Sequence, residues 1–150
     1  HWRATHRRLF GDIYPWAGEF RTIDIEKGGH TFHPASRLDQ AVAWCTDQLR
    51  RVALGPSLGR DDLAAALSPV LADLNEAHPF REGNGRTQRA LITQAASRHG
   101  WMLDWSLVTA AENLDRSIAS VEAPDAFAPM LRRIMRPRSH GGPTPLRPPT

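Results

Sequence analysis

Apolar positions recur at helical spacing through most of the chain. Leu38, Ala41, Val42, Cys45, Leu49 and Val52 fall on one face of a stretch that Gly55-Pro56 ends. With Ser36 in the N-cap position, residues 36–54 are predicted to form a helix. A second helix opens at Asp61 or Asp62 and carries Leu63, Leu67, Val70, Leu71 and Leu74 on one face, with Pro69 as a kink point. It should end near His78, because Pro79 pushes the residue before it out of helical geometry. The pattern resumes from Arg86 to about His99, with Leu91, Ile92, Ala95 and Ala96 apolar and Gly100 as terminator. Two further helices are expected over 106–121 and 125–135. The segment from Phe20 to Phe32 alternates instead, and its Gly28-Gly29 pair predicts a short β-hairpin. The Pro-, Gly- and Arg-rich stretch 137–150 reads as an extended tail or linker. The fold class is therefore all-α with one small hairpin, as a single domain over 1–136 followed by that tail.

Composition narrows the setting. At 150 residues and 41% hydrophobic content the chain can bury one core but not two. The net charge of +3 comes from 19 Lys+Arg against 16 Asp+Glu, and Lys27 is the one lysine. Arginine suits bidentate contacts to phosphate, although a GC-rich genome gives the same bias. Cys45, the one cysteine, falls on an apolar stripe and is expected to be buried and unreactive. No run approaches a membrane span and none resembles a signal peptide, so a reducing cytoplasmic setting is the expectation. The chain starts at His1 and not Met, which suggests a piece of something longer.

The chemistry concentrates in one stretch, His78-Pro79-Phe80-Arg81-Glu82-Gly83-Asn84-Gly85-Arg86-Thr87-Gln88-Arg89. Gly83 and Gly85 flank an asparagine and permit the positive φ angles that turn successive amides inward, so the loop is a predicted anion nest at a helix start. Arg86 and Arg89, three apart, can engage different phosphates of one chain. Glu82 can coordinate Mg²⁺ between them. His78 can accept a proton from an incoming hydroxyl. Each residue alone has an ordinary reading as a solvated or packed side chain; their coincidence within twelve residues argues for a site. His6, His30, His33, His99 and His140 show no metal-site spacing, and Trp2, Trp16, Trp44, Trp101 and Trp105 read as core and loop anchors.

The stretch resembles the signature of the Fic family, His-Pro-Phe-x-(Asp/Glu)-Gly-Asn-Gly-Arg-x-x-Arg, at every fixed position. The resemblance extends upstream to the block from Leu9 to Arg21 and downstream to the final helices, covering about residues 5–135. It implies the mainly helical Fic fold and a protein adenylyltransferase. His78 would be the base that deprotonates a Tyr, Thr or Ser hydroxyl. Glu82 would hold Mg²⁺, Gly83, Asn84 and Gly85 would form the anion hole for the α-phosphate, and Arg86 and Arg89 would bind the outer phosphates of ATP. The hairpin corresponds to the family's flap, which docks an extended segment of the target protein: Ile23, Asp24 and Ile25 on its edge, Lys27, Gly28 and Gly29 at its tip. Gly85 stands where Doc-type relatives have lysine, which disfavours phosphorylation.

The family's inhibitory pattern, (Ser/Thr)-x-x-x-Glu-(Gly/Asn), has no match; Thr22 with Glu26 comes nearest, but Lys27 follows. An inhibitor is therefore expected in trans, as a small antitoxin-like protein, or in a segment outside this sequence. The resemblance suggests the toxin of a bacterial toxin–antitoxin pair or an effector delivered to a host cell. Family members that transfer UMP or phosphocholine, or that remove AMP, share the motif. A nucleic-acid-binding module, suggested by the sequence pI of 10.0, is disfavoured by the scatter of the arginines.

Overall fold

The computed structural model describes residues 1–138. Its elements run α1 (Trp2–Phe10), a hairpin of β1 (Glu26–Lys27) and β2 (His30–Thr31), α2 (Leu38–Leu54), α3 (Arg60–Ala77), α4 (Asn84–Arg98), β3 (Trp101–Leu103), α5 (Ala110–Ala119), α6 (Ala128–Ile134) and β4 (Met135–Pro137). All five helices predicted from spacing are present, most with shortened ends. Helix α3 is central, packed against α2, α4 and α6, and Leu63, Leu67, Leu74, Leu91, Ile92, Leu131 and Ile134 close the core between them. Pro69 lies within an uninterrupted α3. Next to it the buried Ser68 hydroxyl donates to Pro124 O (2.8 Å) and accepts from Phe127 N–H (3.1 Å), tying the approach to α6 onto the helix.

Four features depart from the expectations. Ser36 is not an N-cap: residues 35–37 form a 3₁₀ turn before α2, and the acceptor there is Asp24 Oδ1, bonded to Ala35 N–H at 2.7 Å. Helix α1 carried no apolar periodicity because its buried face, Trp2, Thr5, His6 and Phe10, is half polar by residue type. The last helix stops at Ile134, and β4 pairs antiparallel with β3, Leu103 opposite Met135 and Trp101 opposite Pro137. Pro137 thus belongs to a strand, and Arg138 N–H donates to Gly100 O at 2.8 Å; the rest of the expected tail, and His140, lie outside the described residues. Trp44 is 58% exposed on α2 rather than a core anchor, its indole N–H donating to Asp73. Cys45 is buried, and its thiol is pushed up to about 12, chiefly by burial and then by the charge of Asp73.

Candidate functional site

The chain between α3 and α4 carries the chemistry. Helix α3 ends at Ala77, and His78 adopts left-handed backbone angles (φ 39°, ψ 57°), the one non-glycine among the described residues with positive φ. Helices commonly end on such a residue, and glycine usually fills it; a β-carbon there costs roughly 1–2 kcal/mol. Three contacts hold the histidine in place. Its Nδ1 lies 3.2 Å from Asn75 O, its carbonyl accepts from Arg21 Nε (2.9 Å), and its ring stacks on Phe32 at 4.1 Å. A carbonyl only accepts, so Nδ1 carries the proton and Nε2 keeps a free lone pair. Burial lowers the His78 pKa from its ordinary value, with the charges of Arg21 and Lys27 in the same direction and the bond to Asn75 and the charge of Glu82 opposing. The imidazole is therefore neutral, as a base must be.

Five residues on, Gly83 caps α4 with φ +79°. A β-carbon there would lie 2.5 Å from Cε2 of Phe10, so α1 seats against the loop at a position only glycine allows. Gly85 does not share this geometry. Its φ is not positive, it lies in the first turn of α4, and no atom lies within 4 Å of a β-carbon built on it. The fold leaves open space beside its backbone. Asn84 also differs from the expectation. Its side chain turns back into the loop, Oδ1 accepting from Phe80 N–H (2.9 Å) and Nδ2 donating to Phe80 O (2.7 Å), so that any part in an anion hole falls to its main-chain N–H. The helix thus begins at Asn84, two residues earlier than predicted. Gln88 fastens its inner face to the end of α3 by donating to Leu74 O at 3.0 Å.

The charged groups remain available. Arg86 lies over the Phe10 ring (4.4 Å) and Arg89 over Trp105 (5.3 Å), cations resting on aromatic faces and absent from the ion pairs among the described residues. Glu82 is exposed, and one of its oxygens accepts from Gly83 N–H at 3.0 Å. No group of three His, Cys, Asp or Glu able to hold a metal occurs among the described residues. A single exposed carboxylate beside a helix N-terminus fits Mg²⁺, which usually keeps several waters and shares its remaining ligands with substrate phosphates. It does not fit a metal needing an all-protein cage.

His6 was read as an ordinary histidine, yet it supports this loop from beneath. It is fully buried, stacks on Phe80 at 3.8 Å, accepts from Gly18 N–H at Nδ1 (3.0 Å) and donates from Nε2 to Glu82 O (3.0 Å). Both nitrogens are committed only in the neutral ring. Burial lowers its pKa, with the nearby Arg86 acting in the same direction and the bond to Glu82 opposing. No spacing rule could have found it, because its partners lie 12 and 76 residues away.

The hairpin is present, though its strands are two residues each, joined by Gly28 (φ +60°) and Gly29 (φ +82°) in a tight turn with Lys27 beside it. Ile23 and Asp24 lie outside the paired region. Ile23 is 68% exposed, whereas the carbonyl of Ile25 accepts from Phe32 N–H at 3.1 Å. By the alternation of an antiparallel ladder, the main chain of Glu26 then faces away from β2 and is free to take an added strand. His30 bonds Glu76 of α3 (2.8 Å), and His33 N–H donates to Glu76 O (3.1 Å), holding the hairpin beside His78.

Two neutral histidines, His6 fully buried and His78 half-buried, predict an acid-sensitive fold. The folded-state pKa values of His6 and His78 lie below the ordinary 6.5, so the unfolded chain binds more protons as pH falls through 6.5. Their contribution to stability is complete above that pH and is lost progressively below it. The urea midpoint should hold steady from about pH 8 to 7 and fall between about 6.5 and 5, with a shallower fall in a His6→Gln protein. A midpoint that rises on acidification would contradict the neutral assignments.

Comparison with known proteins matches this arrangement. The Fic/DOC family model covers residues 1–96. The chain is 35% identical over 134 residues to the protein adenylyltransferase VbhT of Bartonella schoenbuchensis, covering 89% of this chain but 28% of that protein. It is 36% identical over 137 residues to the probable protein adenylyltransferase y4lH of Sinorhizobium fredii, covering 91% of this chain and 70% of that one. Among solved structures it is similar, at TM-score 0.82 and 26% identity, to the N-terminal Fic domain of a VirB-translocated Bep effector of Bartonella quintana with bound ADP, over 91% of this chain and 72% of that one. A helical fold, a complete motif between α3 and α4 and a family match over most of its length agree: this chain belongs to the Fic/DOC family.

Proposed function

We propose that the chain transfers AMP from ATP to a Tyr, Thr or Ser hydroxyl of a target protein, releasing pyrophosphate. The observation that carries this reading is the pairing of a neutral histidine, its Nε2 lone pair free, with a glycine-capped helix start five residues on. Relatives named protein adenylyltransferases and an ADP-bound neighbour support ATP as the donor.

The target's hydroxyl gives its proton to Nε2 of His78, and its oxygen attacks the α-phosphorus in line. The bond from that phosphorus to the α,β-bridging oxygen breaks, and pyrophosphate leaves with the electron pair. Main-chain N–H groups of Asn84 and Gly85, at the positive end of α4, stabilise the charge on the α-phosphate oxygens, and Gly83 N–H would join them once the Glu82 carboxylate that accepts from it turns away. Arg86 and Arg89 swing off Phe10 and Trp105 to hold the outer phosphates. Glu82 would hold Mg²⁺, which supplies further neutralisation of the polyphosphate. The open space at Gly85 accommodates the nucleotide. The target's extended segment adds to the flap at Glu26, beside Ile23, Asp24 and Ile25 and the tip at Lys27, Gly28 and Gly29. In this reading the module serves as a toxin or effector, and its inhibitor is a separate small protein acting in trans or a segment outside this sequence.

Incubation of the purified protein and Mg²⁺ with bacterial lysate and either α-³²P- or γ-³²P-labelled ATP tests the reading. Protein label from the α-position alone is expected. Label from the γ-position would mean a kinase, and none from either would move the search to UTP or CDP-choline as donor.

A further inference from the structure

Arg21 is 2% exposed, and its guanidinium forms no ion pair among the described residues. Its hydrogen bonds go to main-chain carbonyls instead. Nε donates to His78 O (2.9 Å), Nη1 to Ile23 O (2.8 Å), and Nη2 to Ala77 O (3.4 Å) and to His33 O. Its own backbone N–H donates to Pro79 O at 2.8 Å. One buried cation therefore joins three segments: the last turn of α3 with His78, the entry to the hairpin and the exit from it.

Burying a guanidinium with no carboxylate in contact is costly: burial lowers the Arg21 pKa, the charge of Asp24 offsets this only in part, and an apolar side chain would fill the same volume with no such cost. Only the planar fork of arginine, with five N–H donors, can serve carbonyls arriving from several directions. Two of those carbonyls, at Ala77 and His78, belong to the end of α3, where the helix leaves acceptors unsatisfied and a cation is favourable. The hairpin they are joined to has two paired residues per strand, too few to hold its own position. Its other ties are the bonds of His30 and His33 to Glu76 and of Asp24 to Ala35, which do not touch His78, and the stacking of Phe32 on the His78 ring, which sets the spacing of the two rings but bonds no main-chain group of the flap.

Building on the adenylyl-transfer reading, we infer that Arg21 is a positioning residue that fixes the flap, where the target's main chain docks, at the distance from His78 that brings the target hydroxyl to Nε2. Arg21 bonds none of the groups at the nest, so its effect falls on acceptor transfer and not on nucleotide binding.

The test compares Arg21→Lys and Arg21→Gln with the parent in three measurements: labelling of lysate protein from α-³²P-ATP, calorimetric affinity for ADP, and amide hydrogen exchange. Lysine keeps the charge but donates from one point, and glutamine offers two donors without charge. Both variants should label protein about 30-fold more slowly or worse, with the KM for ATP and the ADP affinity within about twofold of the parent. Exchange at Phe32 and His33 N–H should quicken about tenfold, while Thr87 N–H, bonded to Gly83 O, keeps its protection. Unchanged labelling, unchanged flap exchange, or losses spread equally to ADP binding and Thr87 would each overturn the inference. If Gln fails to fold, the Lys protein decides. If the parent itself labels nothing, the transfer reading fails, and exchange alone decides whether Arg21 couples flap to base.

Discussion

Protein labelling from α-³²P-ATP falls about 10³-fold when His78 is replaced by asparagine, the middle of the range for loss of a general base. Asparagine is the informative choice. It tolerates left-handed backbone angles better than other non-glycine residues, so the turn at φ 39° survives while the proton acceptor is lost. His78→Ala should show the same loss, with some added instability from the strained backbone. Binding of ADP, held at the other end of the loop, stays within about twofold in the asparagine protein. The conclusion on the base would fall if His78→Asn retained labelling within about threefold of the parent.

A single methyl group at Gly83 lowers the thermal midpoint by about 5–15 °C, from roughly 2–4 kcal/mol of destabilisation at this chain length. Part of that cost is backbone strain at φ +79°, and part is overlap with Cε2 and Cζ of Phe10 at 2.5 and 2.6 Å. Phe10 is 1% exposed and closely packed, so it cannot easily swing aside; any shift also moves the ring on which Arg86 rests. Gly85→Ala supplies the contrast. Its methyl group meets nothing and lies in a helix, where alanine outranks glycine by about 1 kcal/mol, so the midpoint holds or rises. Transfer nonetheless drops, because the methyl group occupies space the nucleotide needs. Calorimetry and the labelling assay on the two variants separate a glycine required by the fold from one required by the ligand. Equal midpoints for the two proteins would contradict that distinction.

These expectations draw on two kinds of information. The sequence by itself determined the helices α2, α3 and α4 to within a few residues, the turn at Gly28-Gly29 and the identity of the chemical groups between His78 and Arg89. Each of these is written in local terms: apolar spacing that one helix face must bury, glycines that permit positive φ, and a proline that ends a helix one residue ahead. Tertiary structure decided the rest. It settled which of two motif glycines carries the strained backbone, because the ring that excludes a β-carbon at Gly83 comes from Phe10 in α1. It turned Asn84 inward to brace the loop, set Asp24 against Ala35 where Ser36 had been expected to cap, and paired β3 with β4 across α5 and α6. It also buried His6 and Arg21, polar residues with no apolar spacing to mark them, because main-chain groups from segments distant in sequence satisfy their nitrogens. A pattern along the chain records which side chains avoid water; which distant carbonyl or N–H group satisfies a buried polar one is settled only when the segments meet.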